Sequence, residues 1–355
     1  MKARIPLRTP PPNLAARIAR PVTDKSDGLY FARSMRADLF DSLVVTNFPY
    51  PLAHVYRRVR EDKESREALC AALQQLLGFV GQVQLLDYLS GEVRQEELTE
   101  ELRQILERPP SAGIWLGWIE RIAACQKKAE VVSFLGAGDV FTGRASRKTL
   151  GALVEVRNRW AHGNADFKVG TFRRDLFEVM AQIRGLHTSS LFCPHGSRMI
   201  DQLHHFKATR LQGDYAQPGE IEGRSSLALE SDRVHLYERS SRHVLSLYPF
   251  SLYERCTHCE QRHFFVFDRV RNKKVVYSAV AGGHEHASAD AYLYLERILR
   301  HAKPTRERPR HFSIPGEFGS LPRTLGAGDA VGPYRIEALI KIGGMAQVYR
   351  ATDPR

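Results

Sequence analysis

The spacing of apolar residues changes near Leu186, and this change limits the folds open to the chain. From Asp62 to Leu89, apolar residues fall three or four positions apart, which is typical of a long amphipathic helix. The same spacing recurs in four later segments: Glu96 to Glu107, Ile114 to Gln126, Arg147 to Trp160 and Phe172 to Leu186. Proline and glycine separate these segments, so residues 36–187 are predicted to form an all-helical bundle.

Beyond Leu186 the apolar spacing approaches two. Short segments rich in aromatic and β-branched residues are predicted strands of a small antiparallel sheet. They are Arg233 to Tyr237, His243 to Tyr248, His263 to Phe267 and Lys274 to Ala279. Helical spacing returns from Ala287 to His301. Residues 188–302 are therefore predicted to be a small α+β domain.

The two ends of the chain differ in composition from these domains. Residues 1–35 contain the run Thr9-Pro10-Pro11-Pro12 and scattered arginines, which predicts a basic, proline-rich tail. Residues 303–330 are rich in Pro, Gly and Arg without periodicity, as in a linker. A short segment, 331–355, follows the linker. The predicted fold class is α+β, with several domains.

Charge and cysteine content bear on partners and location. The formal net charge of +12 favours anionic partners such as RNA or DNA, although it is equally compatible with solubility alone. The five cysteines are few and scattered, which favours a reducing compartment over a secreted disulfide framework. We find no apolar stretch of the kind that forms a signal peptide or a membrane span, so a cytoplasmic protein with no membrane partner is expected.

The segment Val331 to Asp353 resembles the opening of bacterial serine/threonine kinases of the eukaryotic-like family. In that family a tyrosine-led strand, a glycine-rich loop and a second strand cover ATP. Five residues match the loop pattern: Gly343, Gly344, Met345, Val348 and Tyr349. Lys341 and Ala346 stand where the family has further glycines, so the loop is degenerate.

The resemblance implies nucleotide-binding positions at Gly343, Gly344, Met345 and Val348. Glycines let backbone amides approach the phosphates, and the valine covers the adenine. The sequence reaches Arg355 before the lysine and the aspartates that this family uses for phosphoryl transfer. We therefore expect a truncated kinase opening, with ATP and Mg²⁺ as cofactors only of a complete kinase.

A second motif lies in the helical region, in the stretch Val156 to Gly163. Arg157, Asn158 and His162 resemble the R-x4-6-H motif of the HEPN superfamily, whose helical bundles occur among toxins, phage-defence proteins and RNA-processing factors. The resemblance implies a metal-independent ribonuclease in which His162 moves protons and Arg157 neutralises phosphate charge. It also implies a homodimer.

A structural interpretation of the same motif stays open. Arg157 and His162 point about 140° apart on an ideal helix, so the helix is expected to end near Gly163. Arg157 would then pair with Glu155 or with an acidic group of another helix. Trp160 would belong to the core, and His162 would close the helix C-terminus.

The β-rich region contains a third motif, Cys256-Thr257-His258-Cys259. Two thiolates on a tight turn, joined by His284 and His286, would complete a tetrahedral zinc site. Cys193 and His195 are other candidate ligands, and two small buried cysteines in a sheet are the alternative. The spacing of His284 and His286 differs from that of helical zinc hydrolases, so a catalytic zinc is not expected.

Aromatic residues also crowd this region. Seven of them alternate with arginines and could stack on nucleic-acid bases, or could form the buried face of a sheet. They are Tyr248, Phe250, Tyr253, Phe264, Phe265, Phe267 and Tyr277.

Three functions follow from these features as expectations. The preferred one is an N-terminal regulatory or sensing region of a bacterial serine/threonine kinase, in phage defence or stress signalling. The first alternative is a HEPN-type ribonuclease that uses Arg157 and His162. The second is a nucleic-acid-binding or scaffolding module, which the positive charge supports.

Overall fold

The computed structural model describes residues 37–91, 94–163, 166–214, 219–239, 241–300 and 306–314, and three strands between 330 and 352. The tail predicted for residues 1–35 and most of the linker predicted for 303–330 lie outside these residues. Residues 36–317 form one compact unit, and the strands after residue 329 belong to a second unit.

Nine helices precede the first strand in the described part of the chain. They are α1 (Ala37–Asn47), α2 (Tyr50–Glu61), α3 (Arg66–Ser90), α4 (Glu96–Ile105), α5 (Ala112–Lys128), α6 (Gly138–Thr142), α7 (Arg144–Ala161), α8 (Val169–Gln182) and α9 (Gly185–Thr188). A further helix, α10 (Ala289–Arg300), follows later in the chain. The helices predicted from apolar spacing correspond to α3, α4, α5, α7, α8 and α10, so these predictions are confirmed.

Helix α3 is the core helix of the larger unit. Ser65 caps its N-terminus, where the serine hydroxyl accepts a hydrogen bond from the Ala68 amide at 3.1 Å. Gly81 lies against Trp115 of α5, and a Cβ at this glycine would come within 2.4 Å of the indole. The helix is long and apolar enough to cross a membrane, but 83% of its most apolar window is buried inside the protein. That burial is typical of a core helix.

Eleven strands lie in the larger unit, among the residues described there. They are β1 (Ser189–Ile200), β2 (Leu203–Arg210), β3 (Glu220–Ser225), β4 (His235–Glu238), β5 (His243–Ser246), β6 (Ser251–Arg255), β7 (Arg262–Arg271), β8 (Lys274–Ala279), β9 (Glu285–Ser288), β10 (Arg306–Glu307) and β11 (Phe312–Ser313). One antiparallel sheet has the order β10-β5-β4-β1-β2-β3-β11, and a second has the order β6-β7-β8-β9. Helices and antiparallel sheets together confirm the α+β fold class.

Residues 306–314, here called the strap, reach both edges of the seven-stranded sheet. Arg306 pairs with Leu245 at one edge, and Phe312 pairs with Ser225 at the other. Six extended residues span about 20 Å, whereas seven strands laid flat would separate the edges by about 29 Å. The sheet must therefore curve. The Phe312 ring stacks on Tyr237, with the two ring centroids 4.0 Å apart.

The strap also reaches the helices through a buried carboxylate. The Asp87 side chain on α3 is 0% exposed and forms an ion pair with Arg306. Its other oxygen accepts hydrogen bonds from the Phe134 amide and from Gln126, each at 2.9 Å. Burial raises the pKa of Asp87, and these three partners oppose that shift. A buried polar network centred on Asp87 thereby joins helix α3 to the strap.

Backbone hydrogen bonds join the helical and β-rich regions as well. The Tyr50 amide donates to Leu211 O at 2.8 Å, and the Val270 amide donates to Leu106 O at 2.7 Å. The change from helix to strand does fall where the sequence places it, since α9 ends at Thr188 and β1 follows directly. Both regions nevertheless belong to the one compact unit of residues 36–317.

The second unit contains a three-stranded antiparallel sheet in the order β12-β13-β14. Its strands are β12 (Ala330–Val331), β13 (Tyr334–Ile342) and β14 (Gln347–Thr352). β13 and β14 form a hairpin in which Ile342 pairs with Gln347. Two register irregularities interrupt this pairing. The tyrosine-led strand and the second strand predicted from the sequence are thus present as a hairpin.

Candidate metal centre

The first part of the site is the turn between β6 and β7, here called the knuckle (residues 256–261). The Cys256 amide donates to Gln261 O at 2.8 Å, and the Glu260 amide donates to Cys256 O at 2.9 Å. Glu260 has φ of +60°, the left-handed conformation that a turn this tight requires. Because β6 and β7 are paired up to the ends of the turn, both cysteines are held close together.

The second part is the turn between β8 and β9. Gly282 and Gly283 have φ of +90° and +67°, which glycine adopts without steric cost. The turn closes where the Ala279 amide donates to His284 O at 2.8 Å. The Val280 amide donates to Phe264 O on β7 at 2.9 Å, which fixes this turn beside the knuckle. His284 is thereby carried to the cysteines.

Cys256, Cys259 and His284 meet between the two turns. Their ligand atoms, one from each side chain, all lie within 4.8 Å of one another. Cys256 Sγ and His284 Nδ1 are 3.3 Å apart. Cys256 is buried, and the other two residues are half-buried. Two thiols and one imidazole at this separation form a group that could hold a metal ion, and the donor set suits Zn²⁺.

The surroundings of Cys256 favour its thiolate. Desolvation raises the pKa of this thiol, but hydrogen bonds from the His258 amide, the Cys259 amide and the Cys259 side chain outweigh it and lower the pKa. The His258 amide lies 3.4 Å from Cys256 Sγ. Metals bind the thiolate, so the knuckle prepares Cys256 as a ligand.

The structure brings together three of the four residues predicted as ligands and places His286 apart from them. His286 lies on β9, opposite Tyr277. Its Nε2 is 3.4 Å from Glu254 Oε2, and its ring lies 5.4 Å from that of Phe265. The His286 imidazole therefore lies on the face of the sheet, in contact with Glu254 and Phe265.

The other candidate ligands, Cys193 and His195, also lie elsewhere. Cys193 is buried in β1, where desolvation raises the pKa of its thiol to about 12. His195 Nε2 is 3.5 Å from Glu220 Oε1 across the same sheet. A thiol with so high a pKa stays protonated at neutral pH and is a poor ligand.

His263 is a contact that the sequence reasoning missed. This residue lies at the start of β7, and its Nε2 is 3.0 Å from Cys259 Sγ. The spacing Cys259-x3-His263 was available in the sequence as a signal. The apolar spacing predicts only a strand at His263, but a strand residue near the knuckle is a candidate ligand when its side chain faces the turn.

The Arg157 motif occupies the end of α7. The helix ends at Ala161, and Gly163 has φ of +71°, so the expected helix end near Gly163 is confirmed. Arg157 is half-buried and donates to Asn158 Oδ1 at 3.0 Å. It also lies close enough to Cys70 of α3 to lower the pKa of that thiol, although burial outweighs this and raises it to about 11. His162 is exposed.

A surface groove of about 570 Å³ lies between α5, α6 and the first turn of α7, away from this motif. Its basic lining residues are Arg121, Lys127, Lys128 and Arg147. Arg147 precedes Arg157 by about 15 Å along α7, at the helical rise per residue. Arg121 pairs with Glu101, and Arg147 pairs with Glu120, so part of the positive charge is neutralised.

The aromatic residues of the β-rich region form core rather than a surface. Six of the seven are buried, and these are Phe250, Tyr253, Phe264, Phe265, Phe267 and Tyr277. Buried rings cannot stack on bases. The alternative interpretation of their spacing, the buried face of a sheet, is the one that the structure bears out.

The predicted nucleotide-binding positions fall at the hairpin of the second unit. Gly343, Gly344 and Met345 lie outside the described residues. Val348 lies on β14 and pairs with Lys341 of β13. The residues between Ile342 and Gln347 therefore connect two antiparallel strands.

Comparison of the chain with protein-family models, with curated proteins and with solved structures finds no match. The resemblances to kinases and to the HEPN superfamily accordingly stay predictions that depend on the motifs alone.

Proposed function

We propose that this chain is the N-terminal regulatory or sensing region of a bacterial serine/threonine kinase, with Zn²⁺ stabilising its larger unit. The observation that carries the proposal is the hairpin of β13 and β14, which follows a separate compact unit and has the glycine-rich loop as its connection. A folded unit placed before a kinase opening is the arrangement of a regulatory region. Phage defence or stress signalling is the proposed context.

The register of the hairpin supports this proposal. In the kinase family the glycine-rich loop joins two adjacent antiparallel strands and covers the ATP phosphates. Tyr334 begins β13, and the matching Val348 lies on β14, directly after the loop. Lys341 and Ala346 still depart from the family pattern, so tight ATP binding is not expected of the hairpin alone.

The zinc part of the proposal depends on the ligand chemistry of Cys256, Cys259 and His284. Two thiolates and an imidazole on paired turns are the ligand types of structural zinc sites. When bound, Zn²⁺ would supply no reaction here. It would instead cross-link the knuckle to the turn between β8 and β9 and so contribute to folding.

The kinase proposal is tested by reading the coding DNA beyond Arg355 and expressing the extended product. We expect a strand-borne lysine and a catalytic-loop aspartate, and autophosphorylation that changes at least severalfold when residues 37–314 are deleted. Substitution of that lysine by methionine is the control and should abolish phosphorylation. Unrelated sequence in all frames would contradict the proposal.

A HEPN-type ribonuclease is the second candidate, and one observation favours it. His162 is exposed at the end of α7, where its imidazole can reach a bound RNA, and Asn158 lies one turn earlier on the same helix. Arg157 would have to leave its contact with Asn158 to meet a phosphate. A homodimer and an RNA partner belong to this candidate.

A further inference from the structure

Two sulfur–nitrogen pairs face each other at the knuckle. Cys256 Sγ lies 3.3 Å from His284 Nδ1, and Cys259 Sγ lies 3.0 Å from His263 Nε2. The two imidazole rings are 5.4 Å apart and inclined at 66°. Each cysteine therefore has its own histidine partner, and the His263 ring lies beside the ring of His284.

The two sulfur–nitrogen separations are close to those expected across a tetrahedral zinc ion. With Zn–S of about 2.3 Å and Zn–N of about 2.0–2.1 Å, each sulfur of a tetrahedral site lies about 3.5 Å from each nitrogen. Both observed separations are within about half an ångström of that value. The four residues also follow the spacing Cys-x2-Cys-x3-His, with His284 supplied by a separate turn.

Gly282 lies beside both histidine rings. A Cβ built on this glycine would lie 3.4 Å from His263 Cε1 and 3.8 Å from His284 Cε1. The backbone of the turn thus passes directly beside both rings. With φ of +90°, this position favours glycine, so the turn that delivers His284 has a backbone conformation that other residues rarely adopt.

Two other histidines lie nearby and fit less well. His258 is exposed, and its ring lies 5.9 Å from that of His284. His258 contributes its backbone amide to Cys256 instead of its side chain. His286 is engaged with Glu254, and the Phe265 ring contacts it at 5.4 Å.

We propose that His263 is the fourth ligand of a closed Cys2His2 site for Zn²⁺, formed with Cys256, Cys259 and His284. This inference deepens the proposed zinc site and depends on it. Four protein ligands leave no open position for water or substrate, so the site is structural. It clamps the turn between β6 and β7 to the turn between β8 and β9, at one end of the four-stranded sheet.

The test uses the full chain, freed of metal and reloaded with Co²⁺ or Zn²⁺. Wild type is compared with His263→Ala, His258→Ala and His286→Ala. Co²⁺ absorption reports tetrahedral geometry and thiolate ligation, and competition with a chromophoric chelator gives the Zn²⁺ affinity. Loss of groups that only orient ligands costs about 10–100-fold in metal affinity, so loss of a direct ligand should cost more than about 100-fold.

For His263→Ala we expect this large loss of Zn²⁺ affinity, together with weaker tetrahedral Co²⁺ bands. For the two control variants, His258→Ala and His286→Ala, we expect only a few-fold change in Zn²⁺ affinity. His263→Cys should restore a tetrahedral spectrum with stronger thiolate-to-cobalt absorption, because a cysteine can also serve as a zinc ligand. This rescue distinguishes a ligand from a residue that merely supports the fold.

Other results would overturn the inference in recognisable ways. If His263→Ala keeps the wild-type spectrum and affinity, His263 is not a ligand. If His258→Ala or His286→Ala shows the large loss instead, that histidine is the fourth ligand, and the zinc proposal survives without His263. If the wild-type chain binds neither Co²⁺ nor Zn²⁺, the zinc proposal fails as a whole.

Discussion

The cysteine knuckle and the Arg157 motif are both short sequence patterns, but they differ in their contacts in the folded protein. The knuckle faces a second turn, so that Cys256, Cys259 and His284 come from two separated segments held by strand pairing. The Arg157 motif lies on one helix, where Arg157 bonds to its neighbour Asn158 and His162 faces solvent. One pattern is completed by tertiary structure, whereas the side-chain hydrogen bond of the other joins two neighbouring residues of one helix.

This difference has an energetic consequence. A site assembled from two turns exists only when the sheet is formed, so ligand binding there adds to the free energy of unfolding. The exposed His162 side chain, in contrast, gains little from the folding of the rest of the protein. Substitutions at the two places should therefore differ greatly in their effect on stability.

The largest expected effect is that of Cys256→Ala. Loss of this ligand should abolish zinc binding and lower the free energy of unfolding by about 4 kcal/mol when the metal is a thousandfold above its Kd. The measurement is urea unfolding with and without chelator, together with metal analysis.

Cys193→Ala is the matched control for that experiment. It removes another buried cysteine of the β-rich region and should leave one equivalent of zinc in place. Two results would contradict this expectation. One is a Cys256→Ala protein that still binds one equivalent of zinc, and the other is a wild type whose urea midpoint is the same with and without chelator.

A smaller effect is expected from a buried histidine in the seven-stranded sheet. Desolvation lowers the pKa of His235 to about 4, and Arg233 adds to this, while the Glu230 carbonyl opposes it. Between pH 6.5 and about 4, His235 is protonated in the unfolded chain but neutral in the folded chain. The free energy of unfolding therefore falls as the pH falls. The loss between pH 8 and pH 5 is about 2 kcal/mol for this group.

Replacement of His235 by Gln should remove that part of the pH dependence. Urea unfolding at pH 8 and pH 5, with chelator present at both, gives the difference without a contribution from metal release. Leu236→Ala is the control, since it destabilises the neighbouring buried position equally at both pH values. An unchanged pH difference in His235→Gln would show that burial in this sheet does not exclude the proton.

The smallest effect on stability is expected at the end of α7. His162→Ala should change the free energy of unfolding by no more than about 0.5 kcal/mol, because the side chain is exposed. The same variant tests the ribonuclease candidate without interference from unfolding. Labelled RNA is incubated with protein that has not been treated with chelator, in buffer free of added divalent ions.

As a regulatory region, the wild type should not cleave this RNA, and the variant should behave identically. Cleavage by wild type that His162→Ala lacks would contradict this expectation and make the helix end an active site. It would also reverse the contrast between the two regions, since the local motif would then be the functional one.

Local sequence patterns were sufficient for much of the secondary structure. Helix α3 and the strands β4, β5, β7 and β8 coincide with segments that were predicted from apolar spacing. Strands β1, β2 and β3 were not singled out, because their pattern depends on neighbours. Gly223 of β3, for example, makes room for the Phe206 ring, since a Cβ there would lie 2.3 Å from it.

The ligands of the candidate site show the same limit. The pair Cys256 and Cys259 is recognisable from spacing alone, because one tight turn suffices to bring the two sulfurs together. The histidine ligands cannot be recognised from spacing alone. The choice between His263, His284 and His286 depends on how strands β7, β8 and β9 are paired. In the observed register, His286 lies beside Glu254 and His263 lies beside Cys259.

By itself, the sequence determined the elements whose physics is local: helices with one apolar face, the cysteine turn, and the glycines that permit positive φ. Tertiary structure alone decided which distant groups meet. Examples are Arg306 with the buried Asp87, the strap on both edges of one sheet, and two histidines at one knuckle. The physical reason is that periodicity reports which face of an element is buried, whereas register and curvature arise only when the elements pack together.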